Sequence, residues 1–159
     1  IDILSHEVTS VFSDQEAKEL IEIAKKLRTT DLFFFPDHGT EKKLDVDSID
    51  GKHKFIVDVN RKGRISLSKC TYQKRYRQIP LIRLDIEGRP HTNPDGSVIR
   101  GHHLHIYREG FGVSWAYPIR DEEFSNPKDL ILTLREFLVY CNVINASDLP
   151  IQGGVFSGT

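Results

Sequence analysis

The sequence predicts an α+β fold: a mainly antiparallel sheet of five to six strands, flanked by an N-terminal and a C-terminal helix. Three observations predict it. Apolar residues near the start follow helical spacing behind a capping motif. Residues 31–120 switch to a period of two, broken by turn-forming residues. Helical spacing then returns after Pro127. At 159 residues the chain is expected to form one domain, residues 1–159, with a core of its own.

The elements follow in order. Ser13 and Glu16 form an S-x-x-E capping box, in which each side chain satisfies an orphan amide at a helix start. Ala17, Leu20, Ile21, Ala24 and Leu27 then share one face, with Glu19, Glu22, Lys25 and Lys26 on the other, so the spacing predicts a helix over 14–28. The run DLFFFP is a short apolar strand ended by Pro36. Residues 53–60, HKFIVDVN, put Phe55, Val57 and Val59 on one face, and Lys62-Gly63 offers the turn into RISLSKCTYQKRY. PLIRLDIE is the next strand. Asn93-Pro94-Asp95-Gly96 suits a tight turn, because proline fixes φ, aspartate bonds its own backbone and glycine tolerates positive φ. HHLHIYRE, a turn at EGFG, and VSWAYPI complete the sheet. Asn126 is placed as N-cap of the second helix and Pro127 as its first residue, with Leu130, Leu134, Leu138 and Cys141 on one face beside Phe137. The tail after Asn142 reads as loop or fraying end.

Hydrophobic residues at 38% and charged residues at 28% describe an ordered globular chain and exclude a disordered one. Cys70 and Cys141 share no metal-type or redox spacing, so a disulfide scaffold is not expected and a reducing, cytoplasmic location is. No run of about 18 apolar residues is present, so no membrane span is expected, and no signal peptide is visible. The chain contains no methionine; its start is expected to be a trimmed end, and no function is placed there.

Four of the seven histidines fall between His91 and His105. Alternation turns His103, His105 and Tyr107 one way and Leu104 and Ile106 the other; in the preceding strand Arg83 and Asp85 oppose Ile82, Leu84 and Ile86. If the two strands form a hairpin across the Asn93–Gly96 loop, one face carries Arg83, Asp85, His103, His105 and Tyr107, with His91 hanging over its end. His102 turns away from this set. Two chemistries suit the residues. His91, His103 and His105 would ligate zinc or another divalent metal with an open position for water, Asp85 serving as a fourth ligand or orienting a histidine and Cys70 as a further ligand. Alternatively, two histidines supply base and acid without any metal or cofactor, Arg83 stabilises an anionic phosphorus centre, and Asp85 fixes a tautomer. The bland alternative is a solvated sheet face.

Charge patterning favours a phosphate-bearing partner. Residues 61–78 hold seven Lys or Arg residues and no acid, with Tyr72 and Tyr76 interleaved. Lys69, Lys74, Arg75 and Arg77 are therefore expected to hold an RNA backbone, with Tyr107 and Arg108 assisting. A guarded sheet edge is the structural alternative. Trp115, Tyr117 and the acidic 41–50 segment would serve a protein partner if the chain were an inhibitor or adaptor.

The segments LIRLDIEGRPHTNPDG and HHLHIYREGFGVSWAYP resemble an uncharacterised bacterial family met mainly in Firmicutes and mobile elements, from the first helix through the last. That family brings no activity with it. The hairpin alone is similar to TumE-type toxins of toxin–antitoxin pairs, in Asp85, Pro90-His91 and His103-Leu104-His105. The toxin pattern departs at Ile86, which replaces a polar residue, and at His102, which replaces a proline. This second resemblance implies an RNA-directed protein with a cognate antitoxin as partner. The leading expectation is a toxin-like, metal-independent ribonuclease using His103 and His105, with His91 third. A histidine-ligated metal hydrolase or zinc-binding protein and a non-enzymatic adaptor are the alternatives.

Overall fold

The computed structural model describes residues 12–70 and 78–153. The capping box forms as expected: the Glu16 amide donates to Ser13 Oγ at 3.0 Å and the Ser13 amide to Glu16 Oε1 at 2.9 Å. Helix α1 (Asp14–Glu22) starts there and buries Ala17 and Leu20. It ends well short of residue 28. Ile23 turns extended at ψ 142°, and Lys25–Leu27 becomes an edge strand, β1. Pairing of β1 with residues 46–48 of the sheet overrides the helical spacing of Ala24 and Leu27.

Lys25, placed by spacing on an exposed helix face, is instead fully buried. Its Nζ donates to the carbonyls of Ile21 (2.6 Å), Ile23 (3.0 Å) and Cys141 (2.8 Å). One ammonium thus satisfies carbonyls at the ends of both helices, using all three of its protons.

Among the described residues the main sheet has seven strands rather than five or six, in the order β1, β3 (Glu41–Ser48), β4 (Lys54–Asn60), β5 (Arg64–Cys70), β6 (Ile79–Asp85), β9 (His103–Ile106), β10 (Ala116–Pro118). Every neighbouring pair is antiparallel. The acidic 41–50 segment holds strand β3. It is an alternating strand whose Leu44 and Val46 are buried while Asp45 and Asp47 pair with Arg28 at 3.6 and 2.9 Å. Phe33–Phe34 forms β2, and His91–Thr92 and Val98–Ile99 form a small hairpin, β7–β8, around the expected Asn93–Gly96 turn.

Val57, Ile65, Leu67, Ile82, Leu84 and Leu104 align across β4–β9 and share one core with α1 and with α2 (Leu130–Tyr140). The cap of α2 is Asp129, whose carboxylate accepts from the Leu132 amide at 3.1 Å, three residues beyond the expected Asn126. Asn126 and Pro127 lie in the turn before it. The tail, expected as loop or fraying end, is tied down through Gln152. Ile144 donates to the Lys25 carbonyl, Val143, Ala146 and Leu149 are buried, and β11 (Ile151–Gln152) pairs parallel with β2. No helix among the described residues is long and apolar enough to cross a membrane.

Gly63 closes the β4–β5 turn at φ +90° and binds the end of β6, its carbonyl accepting from the Ile86 amide at 2.8 Å. A Cβ there would stand 2.9 Å from the Ile86 carbonyl oxygen. Gly63→Ala combines left-handed strain with a backbone clash, and is expected to cost about 2 kcal/mol in urea unfolding.

Candidate functional site

Antiparallel pairing of β6 with β9 sets Arg83 opposite His105 and Asp85 opposite His103. Because Ile82, Leu84 and Leu104 take the core face, alternation gathers these four side chains on the other face. The chain between the strands folds back over them. Asn93 anchors it, donating to the Ala116 carbonyl at 3.0 Å and accepting from its amide at 2.8 Å. The His91 ring then stands 4.6 Å from the His105 ring and 5.9 Å from the His103 ring, centroid to centroid. His103 and His105 are left 2% and 0% exposed.

Each of the three imidazoles is oriented by a backbone carbonyl. His103 Nδ1 lies 2.9 Å from the Gly101 oxygen, His105 Nδ1 2.8 Å from Val113, and His91 Nε2 2.7 Å from Ser114. A carbonyl only accepts, so those nitrogens carry the protons. The other nitrogens of His103 and His105 both face one atom: each Nε2 is 3.4 Å from Asp85 Oδ2.

Arg83 lies across the group. Its Nε is 3.2 Å from Asp85 Oδ1, and its Nη2 is 3.2 Å from Oδ2 and 3.1 Å from His105 Nε2. A guanidinium only donates, so His105 Nε2 accepts from Arg83 and cannot at the same time donate to Asp85. The Arg83 contact is the shorter, and it takes precedence. Arg64 adds a second guanidinium, with Nε 3.4 Å from Asp85 Oδ1. Burial favours the neutral acid at Asp85, but the hydrogen-bonded guanidinium of Arg83 and the charge of Arg64 outweigh it. The carboxyl is held well below the usual carboxylate range. Its contribution to stability is therefore complete above that range and is lost as the pH falls through and below it.

An open cleft of about 550 Å³ lies over Asp85, His91 and His103. Its walls carry Lys62, Arg64, Arg83 and Arg89, and Asp85 is the one carboxylate among its lining residues. His105 does not reach the cleft; it underlies it.

The expected site is thus assembled in part. Arg83, Asp85, His91, His103 and His105 come together. The expected three-histidine ligand set does not: among the described residues the group with converging ligand atoms is Asp85, His103 and His105, all within 4.8 Å of one another. Asp85 takes the place given to His91, whose Nε2 is engaged by Ser114. Tyr107 leaves the histidine face for the core, where its hydroxyl donates to the Phe12 carbonyl and accepts from the Phe12 amide. Arg108 stacks 4.0 Å over Trp115 and donates to the Tyr117 hydroxyl. Lys69 and Cys70 lie at the far end of β5 from Arg64, with Lys69 over the Phe12 ring. His102 turns away, accepting from the Glu87 amide. Lys74, Arg75 and Arg77 fall outside the described residues.

Sequence reading missed Lys62, Arg64 and Arg89 as members of this site. Arg64 shows only through register, which sets it directly across from Asp85. Arg89 adjoins the Pro90-His91 pair, and only the fold-back of this segment over the sheet brings it to the cleft.

No curated protein and no solved structure matches the chain. A family described as of unknown function, DUF6978, matches residues 12–143, a span containing every residue of the cluster and the cleft. The chain, so matched over most of its length, belongs to the DUF6978 family.

Proposed function

We propose that this protein is a metal-dependent hydrolase, with Asp85, His103 and His105 holding a divalent ion such as zinc at the floor of the cleft. One observation carries the reading: two imidazole Nε2 atoms converge at 3.4 Å on a single carboxylate oxygen, while the opposite nitrogen of each ring is tied to a carbonyl. Histidines that ligate metals are oriented in this way through their outer nitrogen. Ligands about 2.0–2.1 Å from a tetrahedral ion stand about 3.3–3.4 Å from one another, which is the spacing of each Nε2 from Oδ2. Three protein ligands would leave a fourth position open, and an ion held there would supply an activated water for ester hydrolysis at neutral pH. Unpaired Cys70 and Cys141 support a reducing compartment, and with it the cytoplasm.

Arg83 now supplies positive charge at the convergence point, and an entering ion must displace it. Arg83→Gln is expected to tighten zinc binding about tenfold in competition with a chromophoric chelator; weaker binding would show that Arg83 supports the ion instead. The reading as a whole is tested with activated carboxylate and phosphate esters. Hydrolysis should vanish on chelation, return with zinc or manganese, and be absent in Asp85→Asn. Hydrolysis indifferent to both treatments would sink it.

Arg83 also favours a second reading, metal-free RNA cleavage, because the triad already has a counter-cation. A base and an acid on opposite sides of phosphorus stand roughly 6 Å apart. The converging ligand atoms of His103 and His105 lie within 4.8 Å, closer than that, and His105 does not reach the cleft, whereas His91 and His103 both line it with ring centroids 5.9 Å apart. His91 and His103 are then the pair, Arg83 steadies the phosphorus centre, and a cognate antitoxin is the partner. Cleavage in chelator that stops when the 2′-hydroxyl at the scissile position is removed would favour this reading over the first. Cleavage that needs metal would reject it.

A further inference from the structure

The cations of the cleft are not all used by the cluster beneath them. Arg83 and Arg64 are committed to Asp85. Lys62 and Arg89 are exposed, line the same cleft, and have no ion-pair partner among the described residues. Lys62 comes from a turn whose backbone is fixed, and Arg89 from the segment that leads into His91. The Lys62 amide donates to Asn60 Oδ1 at 3.0 Å, and Gly63 ties that turn to Ile86. Arg89 precedes Pro90 and His91, and His91 is fixed by its bond to Ser114. Two uncompensated cations thus stand over an imidazole-carboxylate floor whose own carboxylate is neutralised by two guanidiniums. Such an arrangement attracts an anion, and the nearby groups are those that act on an ester.

From this juxtaposition we infer that the cleft is a phosphate-binding site, with Lys62 and Arg89 gripping the phosphate of a nucleotide-sized phosphate ester laid over His91 and His103. The inference names the substrate class of the proposed hydrolase and rests on the same cleft, but it does not need the ion. A cleft of about 550 Å³ suits one nucleotide unit rather than a duplex. Lysine and arginine contribute charge here, and the arginine adds a planar fork for two phosphate oxygens. The proposed grip takes Lys62 from the basic 61–78 run but none of Lys69, Lys74, Arg75 and Arg77, so the two sets of cations can be tested apart.

The test is calorimetric titration of the full chain with adenosine 5′-monophosphate in chelator, with adenosine as the phosphate-free control. The nucleotide should bind at least about tenfold more tightly than adenosine, and more weakly as salt is raised. The Lys62→Ala/Arg89→Ala double variant should lose at least about tenfold of that affinity with an unchanged melting temperature. Equal binding of nucleotide and nucleoside, or a double variant that binds like the parent, would overturn the inference. So would no nucleotide binding below about 10 mM. A short RNA competing more tightly than the nucleotide assigns the site to a polymer; weaker competition assigns it to the free nucleotide, and the phosphate grip stands either way. Because the titration contains chelator, it succeeds or fails independently of the metal reading.

Discussion

Replacing His105 with alanine is expected to weaken zinc binding by at least about 100-fold, the largest effect any single change in this protein should have on a ligand. His105 is fully buried, and its Nδ1 is locked on Val113 so that Nε2 has no choice of direction. Removing the ring also opens a void and costs fold stability, so Asp85→Asn is the companion variant. It keeps the shape and removes the anionic oxygen on which both imidazoles converge, and a comparable loss of affinity is expected. His102→Ala serves as control: its ring bonds the Glu87 amide outside the cluster, and zinc affinity should not change. Competition against a chelator of known affinity measures all three.

The second large effect concerns the fold. Lys25→Met keeps most of the buried stem but leaves the carbonyls of Ile21, Ile23 and Cys141 without the donor they share. Each unsatisfied buried carbonyl costs about 1–3 kcal/mol, so a loss of about 3 kcal/mol or more is expected in urea unfolding. That is a large fraction of the stability of a domain of this size. A pH signature accompanies it. Burial pushes the Lys25 ammonium down from 10.5 to about 8, so below pH 8 both states are protonated and the cost of burying the charge is carried in full. As the pH rises from about 8 to 10.5 the folded lysine gives up its proton first, and stability from this group increases. Cys141 acts in the opposite sense. Burial pushes its thiol up from 9.0 to about 12, so from pH 9 upward the unfolded chain ionises first and stability falls. The net rise should be confined to about pH 8–9, and Lys25→Met should not show it.

Much of the site was legible because strands are simple objects. The alternations I-R-L-D in 82–85 and H-L-H-I in 103–106, joined by a strong turn signal, fix which side chains share a face. What alternation cannot give is where a ring nitrogen points, and this decided between His91 and Asp85. His91 sits in the returning hairpin, and its direction is set by Ser114, 23 residues away. The basic run was legible as charge but not as geometry. Arg64 and Lys69 are five residues apart on β5, so about 17 Å separates the end that meets Asp85 from the end that packs on Phe12. Strand β1 was hidden because Ala24 and Leu27 continue the helical spacing of α1, while the partner that captures them lies some 20 residues downstream in β3. Lys25 is the same lesson in one residue: a lysine reads as surface until three carbonyls from two helix ends enclose it.

The proposed hydrolase requires a divalent ion held by Asp85, His103 and His105. Elemental analysis of untagged protein, incubated with zinc and then dialysed against metal-free buffer, tests it most directly. About one equivalent should be retained, and none in Asp85→Asn, with a rise in melting temperature that follows the bound zinc. Retention of less than about a tenth of an equivalent, with no change in melting temperature on adding zinc, would contradict it.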